Sequence, residues 1–266
     1  MQSPRTRLDR FISHKLGIGR RAVRPILAQG RITVDGCLAR DIQQPIHQFS
    51  RVTFDSRVLQ NHKAQYIMMN KPVGVLSATQ DQHHKTVIDL LDNIDSSKLH
   101  DSHNPNSSPE RQDSSDLHIA GRLDFNSSGL LLLTNDGRWS RHLSAPENNI
   151  PKIYSVTVEE PLTEDYVHAF AEGMYFAYEA ITTLPATLKI ISEHIAEVSL
   201  VEGRYHQIKR MFGRFQNKVL QLHRLSIGEL NLDPKLLPGQ SRELSNWELN
   251  KICASGKNYS ATSPSL

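Results

Sequence analysis

Four consecutive leucines at positions 130–133 constrain the fold of this chain more than any other feature. A run this apolar belongs in a core, and short apolar runs bounded by turn residues are typical of buried strands. A Thr-Asn-Asp-Gly sequence at 134–137 closes the run with a predicted turn. Asp124 stands on the polar loop before the leucines, so the strand would hold its carboxylate in a fixed place.

The segment leaves two roles open for Asp124. A single carboxylate that is rigidly held suits nucleophilic or acid–base chemistry. Aspartate is also common as the residue that caps a turn or a helix. The pattern of residues 121–137 does not choose between a catalytic residue and a cap.

The charge of the chain is unevenly distributed. Its 266 residues are enough for one large domain or two ordinary ones, and they carry a net charge of only +3. Residues 1–60, however, contain eleven Lys and Arg against four Asp and Glu, whereas the remainder contains twenty against twenty-four. A basic block on a nearly neutral body indicates a small N-terminal module that binds a polyanion.

Composition excludes several classes of protein. No stretch approaches the roughly 20 apolar residues that span a bilayer, and the polar, Arg-rich N-terminus lacks the apolar segment of a secretory signal. The two cysteines, Cys37 and Cys253, lie in unrelated contexts, which fits a reducing compartment. The thirteen histidines are scattered, so we expect no metal site. We therefore predict a cytoplasmic protein with no membrane contact.

The basic block predicts two short helices and a hairpin. Apolar spacing favours a first helix that Gly17 ends, and a second over 20–29 that Gly30 stops. Pro25 opposes the second helix, because an interior proline costs about 3 kcal/mol or kinks it. Asp35-Gly36 favours a tight hairpin turn. The arginines of this block that gather on the second helix and at the start of the hairpin are Arg20, Arg21, Arg24 and Arg31.

This order of elements resembles the alpha-L RNA-binding module of ribosomal and RNA-modifying proteins. The resemblance implies that residues 1–62 form an RNA-binding domain and that the four arginines contact RNA. The alternative is an ordinary basic face exposed to water.

Residues 63–251 predict a larger domain of mixed, mostly antiparallel strands, among which 152–158 alternates most clearly. Residues 95–117 carry almost nothing to bury, which predicts a flexible surface insertion. For residues 252–266 we predict a disordered tail.

We further predict a helix over 205–215, with an apolar face and with His206, Lys209 and Arg210 on the other side. Such a face can serve a phosphate or a carboxylate, or can simply be solvated.

Four segments, in order, resemble the RsuA family of pseudouridine synthases. They are Asn-Lys-Pro-Val-Gly at 70–74, Gly-Arg-Leu-Asp at 121–124, Lys-Ile-Tyr at 152–154, and Gly-Arg-Tyr-His-Gln-Ile-Lys-Arg-Met at 203–211. Residues 136–142 and 205–212 resemble the members that act on small-subunit 16S rRNA. The chain departs from the pattern at Ser127, at Ile153 and in the 95–117 insertion.

The resemblance implies an α+β fold, with the small alpha-L domain followed by a mixed, mainly antiparallel-sheet catalytic domain. It implies isomerisation of uridine to pseudouridine in 16S rRNA, without a cofactor, by an enzyme that acts on a partly assembled small subunit. Asp124 would be the essential carboxylate, either as nucleophile or as base. Tyr154 would lie against the uracil, and Lys209, or else Arg210, would pair with Asp124. The residues expected to contact RNA in this domain are Lys71, Arg122, Arg204, His206 and Arg210.

Three alternatives stay open at this point. One is a sibling enzyme for large-subunit 23S rRNA, and another is a non-catalytic RNA-binding assembly factor. The third is a hydrolase that uses Asp124 and Asp136 as a carboxylate pair, although turn geometry explains Asp136 better. We expect a monomer.

Overall fold

The computed structural model describes residues 6–95 and 116–254. The chain divides into two compact units, and the boundary falls between Ala64 and Gln65, close to the predicted one. None of the helices in these described ranges is long and apolar enough to cross a membrane.

The N-terminal unit has the two helices and the hairpin that the sequence predicts. Leu8, Ile12, Val23 and Ile32 are fully buried in its core. Asp35 and Gly36 both have positive φ, as the predicted hairpin turn requires. The elements are β1 (Thr6–Arg7), α1 (Leu8–Leu16), α2 (Arg20–Ala28), β2 (Ile32–Val34), β3 (Cys37–Leu38), β4 (Pro45–Ile46), β5 (Val52–Phe54) and β6 (Arg57–Gln60).

Strands of this unit pair as β3-β2-β5-β6, and β1 pairs with β4. Helix α2 continues through Pro25. Proline removes a single backbone donor, and the buried side chains of Val23 and Leu27 on either side of it keep the helix packed.

The C-terminal unit is built on one mixed sheet. Its first elements are β7 (Tyr66–Lys71), α3 (Val87–Asp95), β8 (His118–Ala120), β9 (Ser128–Thr134), α4 (Gly137–Ser144), a 3₁₀ turn (Pro146–Asn148) and β10 (Lys152–Val158). They are followed by α5 (Glu164–Glu172), β11 (Tyr175–Phe176), β12 (Ile181–Thr182), β13 (Thr187–Ser192), β14 (Ile195–Leu200) and α6 (Gln207–Gly213). The last are β15 (Val219–Ile227), β16 (Leu230–Asn231), β17 (Ser241–Glu243) and α7 (Asn246–Ala254).

The main path of this sheet runs β13-β14-β10-β15-β9-β7-β17, with β16 beside β15 and β8 beside β9. The strands pair antiparallel except at β15 and β9, which run parallel. This is the predicted α+β architecture with a mixed, mainly antiparallel sheet.

The four leucines fill both faces of β9. Leu131 and Leu133 belong to a core cluster that contains Tyr154 and Phe212. Leu130 and Leu132 face the opposite cluster, which contains Trp139. A strand covered on both sides must be apolar at every position, which explains why the sequence has a run rather than an alternation.

Gly129 allows β15 to approach β9 closely. Its φ is +103°, and a Cβ at this position would overlap the backbone of Arg224, 2.6 Å from the nitrogen. Any side chain at Gly129 would therefore push the two parallel strands apart, just after the loop that carries Asp124.

Some predicted boundaries are wrong. The helix predicted over 205–215 is only Gln207–Gly213, because His206 adopts a left-handed backbone conformation before it. The nine-residue strand β15 runs unbroken through Arg224, since this side chain is bonded to carbonyl groups and can stay buried. Helix α4 was not predicted.

The predicted bounds of the insertion and of the tail are wrong. Helix α3 ends at Asp95, and Leu117 is only 4% exposed and packs in the core. Ile252 is fully buried, so the fold extends past residue 251. The rest of the predicted insertion, 96–115, and of the predicted tail, 255–266, lies outside the described residues.

Candidate active site

The loop that carries Asp124 is held by its backbone. Leu123 is buried, and its N–H and C=O both bond the hydroxyl of Ser77, at 3.2 and 2.7 Å. The N–H of Ser127 donates to the C=O of Asp124 at 3.0 Å. These contacts fix the loop without using the Asp124 side chain.

Lys71 also holds the loop that carries Asp124. Its Nζ donates to the carbonyl oxygens of Pro72, Asp124 and Ser127 at 3.0, 3.1 and 2.8 Å. Three acceptors match the three N–H groups of an ammonium. Burial lowers the pKa of Lys71 to about 8, although the nearby Asp124 opposes this shift.

The prediction that Lys71 contacts RNA is wrong. The residue is fully buried at the end of β7, so no phosphate can reach its charge. Its hydrogen bonds hold the loop in place. A lysine beside Pro72 gives no sign of this in the sequence, because the carbonyl groups of Asp124 and Ser127 lie 53 and 56 residues away along the chain.

The carboxylate of Asp124 faces the side chains of Lys209 and His206. Oδ2 lies 3.1 Å from Nζ of Lys209, and Oδ1 lies 3.5 Å from Nε2 of His206. All three side chains are partly exposed, 28% for Asp124, 27% for Lys209 and 38% for His206. The carboxylate is thus directed at α6 and its preceding residue, which favours the catalytic interpretation over that of a cap.

Helix α6 is placed by its buried face and by a polar brace. Ile208, Met211 and Phe212 are buried in the core. Ahead of the helix, the buried carboxylate of Glu202 accepts from Gln207 Nε2 at 2.6 Å and from Arg204 Nε at 2.8 Å.

His206 lies just before the helix with φ 49° and ψ 31°. A residue with a side chain is uncommon in this left-handed region, and such conformations cluster at functional sites. This conformation accompanies the contact of the imidazole with Asp124. Periodicity had placed His206 inside the helix, so neither its conformation nor its contact with Asp124 was predicted.

Arg210 does not pair with Asp124. Its guanidinium forms two hydrogen bonds of 2.6 Å with the carboxylate of Glu179 and lies 3.7 Å above the ring of Phe176. Glu179 raises the pKa of Arg210 through these bonds. Of the two candidates for the partner of Asp124, the structure therefore favours Lys209.

Tyr154 is nearly buried in β10 and faces Arg224. The guanidinium of Arg224 lies 6.0 Å from the centre of the Tyr154 ring. The same guanidinium donates to the C=O of Leu130 at 2.7 Å and to that of Gly121 at 2.9 Å. Arg224 therefore links the tyrosine to both ends of the segment that carries Asp124.

Sequence reasoning missed Arg224. An arginine that interrupts an apolar strand is the indication that could have revealed it, since such a residue needs buried partners. The glycine opposite it, Gly129, is a second indication, because a strand glycine often marks a close approach of two backbones.

Asp136 is a helix cap. Its carboxylate is buried and accepts from the N–H groups of Arg138 and Trp139, at 2.9 and 3.3 Å, and from the hydroxyl of Tyr66 at 3.1 Å. The hydrolase alternative requires Asp124 and Asp136 as a carboxylate pair, but the carboxylate of Asp136 is occupied by these hydrogen bonds. Within residues 6–95 and 116–254, no three His, Cys, Asp or Glu side chains are grouped so that they could hold a metal ion.

The remaining predicted RNA contacts lie at the surface of their own units. Arg122 is exposed, and the side chain of Arg204 is 40% exposed. In the N-terminal unit, Arg20, Arg21 and Arg24 are exposed on α2. Arg31 is also exposed, but it is paired with Asp55 and lies 4.7 Å from the ring centre of Phe54.

Comparison with known proteins identifies similar chains. Residues 65–213 match the family described as RNA pseudouridylate synthase. A ribosomal small subunit pseudouridine synthase A of Pseudomonas aeruginosa is 46% identical over 92% of this chain and 100% of its own length. The protein of that name from Escherichia coli (strain K12) is 36% identical over 92% and 99%. A crystal structure of a pseudouridylate synthase, 34% identical, aligns over 92% of this chain and 99% of its own with a TM-score of 0.62.

Proposed function

Because this chain belongs to the RNA pseudouridylate synthase family, we propose that it isomerises a uridine of small-subunit ribosomal RNA to pseudouridine. The observation that carries the proposal is the loop that holds Asp124 by its backbone while its carboxylate faces Lys209 and His206. The small-subunit target is supported by relatives of that name that match over their whole length.

The reaction needs one well-placed carboxylate. The N1–C1′ bond of the uridine breaks and a C5–C1′ bond forms, while C5 loses a proton and N1 gains one. No electron or outside atom enters. We assign the carboxylate to Asp124, which either attacks C1′ or removes a proton from the sugar, and both routes begin with an ionised Asp beside the ribose.

Lys209 and Lys71 act on different parts of Asp124. Lys209 contacts one carboxylate oxygen, so it balances the negative charge where the reaction takes place. Lys71 contacts the main-chain oxygen of the same residue, so it sets the position of the carboxylate. We place Tyr154 against the uracil ring, where its phenol can assist in the loss of the C5 proton.

The target base has to leave its stack to reach Asp124, and extrusion is cheapest in irregular or single-stranded RNA. Phosphate contacts supply binding without reading the sequence. We assign such contacts to basic residues of the C-terminal unit, Arg122, Arg204, His206 and Arg210, and of the N-terminal unit, Arg20, Arg21, Arg24 and Arg31. The substrate form that we propose is a partly assembled small subunit in the cytoplasm.

Mapping of pseudouridine in both ribosomal RNAs of a strain that lacks this gene tests the proposal. We expect one pseudouridine of the small-subunit RNA to disappear, to return with the wild-type gene, and not to return with Asp124→Asn. Loss of a pseudouridine from large-subunit RNA instead would reassign the target. Unchanged maps, together with no release of tritium from C5-tritiated RNA by the purified protein, would support the non-catalytic assembly factor.

A further inference from the structure

Two tyrosines on segments that are linked to the Asp124 site are unusually exposed. Tyr205 is 74% exposed, and Tyr178 is 96% exposed. Neither ring is needed to fill a core, and a tyrosine in water leaves a large apolar face uncovered. Because the site is proposed to act on RNA, these two exposed rings are candidates for contact with a ligand.

Tyr205 extends the catalytic site outwards. Its ring stacks on the imidazole of His206, with centres 4.0 Å apart and planes 15° from parallel. The same imidazole contacts Asp124 at 3.5 Å. Carboxylate, imidazole and phenol thus form one continuous row, and the outer face of Tyr205 is its open end.

The turn that carries Tyr178 is joined to this row by Arg210. It lies in the turn between β11 and β12, and its neighbour Glu179 accepts two hydrogen bonds from the Arg210 guanidinium. Nη1 of Arg210 also lies 3.4 Å from the C=O of Tyr205. One guanidinium therefore joins the backbone of Tyr205 to the turn that carries Tyr178.

We propose that Tyr205 and Tyr178 form a stacking surface for the unpaired bases that flank the target uridine in single-stranded RNA. The proposal rests on the proposed function of the Asp124 site. Extrusion of a base breaks its stacking with both neighbours, and an aromatic face can replace what each neighbour loses. Arg204 of the same segment, whose side chain is 40% exposed, complements the phosphates that such a strand brings with it.

Stacking onto aromatic side chains tolerates any base, so the surface would hold the strand without selecting its sequence. It would thus contribute mainly to binding of the flanking strand and little to the chemical step. Arg210 would be a positioning residue for both rings, because its bonds to Glu179 fix the turn.

The test couples a protein variant to a change in the RNA. Tyr205→Ala and Tyr178→Ala are prepared in an Asp124→Asn background, so that the RNA stays unconverted. Binding to a fluorescent RNA fragment that contains the mapped uridine is measured by anisotropy. Each flanking base is replaced in turn by an abasic residue. Tyr205→Phe keeps the ring, and Trp247→Ala removes an exposed aromatic residue from α7 as the matched control.

We expect each alanine variant to weaken binding about fivefold or more, and Tyr205→Phe and Trp247→Ala to change it little. For each tyrosine, we expect one abasic position to weaken RNA binding by the Asp124→Asn protein by a similar factor. The same abasic position should not weaken binding by the corresponding alanine variant any further. Effects that multiply independently at every position would overturn the proposal. So would loss of binding only on assembled particles, since that result would assign the tyrosines to a ribosomal protein.

Failure of the proposed function gives a different pattern. If the wild type releases no tritium and no pseudouridine maps to the gene, the same binding series is run on a uridine-containing single-stranded RNA. Coupling between an alanine variant and an abasic position in that series would support the stacking surface without the isomerase. In the opposite case, a wild type that releases tritium but shows no such coupling would support the isomerase alone.

Discussion

Two clusters in the C-terminal unit place carboxylates beside a cation, and they are built in opposite ways. Arg242 contacts Asp233 at 2.8 Å and Glu248 at 2.7 and 2.9 Å. Glu248 also accepts from the N–H of Ser245 at 2.8 Å, just before α7. Asp124, in contrast, meets Lys209 and His206 through one contact each, at 3.1 and 3.5 Å.

The difference lies in which part of the acidic residue is fixed. At Glu248 the carboxylate itself is saturated, and the bonds from Arg242 lower its pKa to about 2. At Asp124 the main chain is fixed by Lys71, while the carboxylate stays partly exposed. A carboxylate that has to approach a ribose needs a rigid backbone and free lone pairs, whereas one that fastens a helix needs neither.

The largest expected effect is that of Asp124→Asn. We predict that tritium release from C5-tritiated RNA falls by about a thousandfold or more, because the amide can neither attack nor accept a proton. The melting temperature should change little, since the bonds that hold the loop come from its backbone. A variant that unfolds would instead show that Asp124 stabilises the fold as Glu248 does.

Lys209→Met should lower kcat by about 10- to 100-fold, since it removes the charge that contacts the Asp124 carboxylate. Lys189→Met, an exposed lysine on β13, is the matched control and should leave kcat unchanged. Single-turnover tritium release measures both. Equal rates for the two variants would mean that the contact between Lys209 and Asp124 does not contribute to the rate of the chemical step.

Lys71→Met should lower kcat about tenfold, because the carbonyl groups of Asp124 and Ser127 in the loop, and that of Pro72, lose their donor. Lys152→Met is the matched control, since burial also lowers the pKa of Lys152 to about 8 but its Nζ bonds Val201 instead. Loss of kcat in Lys152→Met to the same degree would contradict a specific role of Lys71 in holding the loop.

The pH dependence sharpens this prediction. Above about pH 8, neutral Lys71 has two N–H groups for three carbonyl oxygens, so kcat of the wild type should fall. The pKa of Lys71 is about 8 in the folded chain, and its ordinary value is 10.5. Between these two pH values the unfolded chain binds a proton that the folded chain has lost, so the contribution of Lys71 to the free energy of unfolding should rise with pH. Rate and stability profiles that fall together over this range would contradict the assignment.

Glu248→Gln should have the smallest effect on rate and a visible effect on stability. Its folded pKa, about 2, lies below the ordinary 4.5, so its contribution is complete above pH 4.5 and is lost as the pH falls towards 2. Thermal melts should show a deficit of about 2–6 °C at neutral pH that shrinks in acid. A deficit that is constant with pH would argue against the ion pair with Arg242.

The parts of the molecule that follow from local pattern could be predicted. The leucine run became β9, the alternating residues 152–158 became β10, and the Asp35-Gly36 turn became a hairpin. Asp124 and Lys209 came together as the family resemblance implied. The strands and the hairpin depend on residue type and spacing within one segment, whereas the pairing of Asp124 with Lys209 was implied by the resemblance alone.

The parts that depend on contacts between distant segments could not be predicted. Lys71 looked like a surface cation until β7 brought it under the Asp124 loop. Arg224 had no predicted role, and two carbonyl groups make its burial possible. In both residues the decisive partners are main-chain oxygens, which have no signature in the sequence.

The most direct test of this comparison measures tritium release and thermal melting for Asp124→Asn and Glu248→Gln side by side, with one RNA and one buffer. The account predicts that Asp124→Asn melts like the wild type and releases almost no tritium, whereas Glu248→Gln melts earlier and releases tritium at the wild-type rate. Tritium release by a folded Asp124→Asn protein within about tenfold of the wild type would contradict the catalytic assignment.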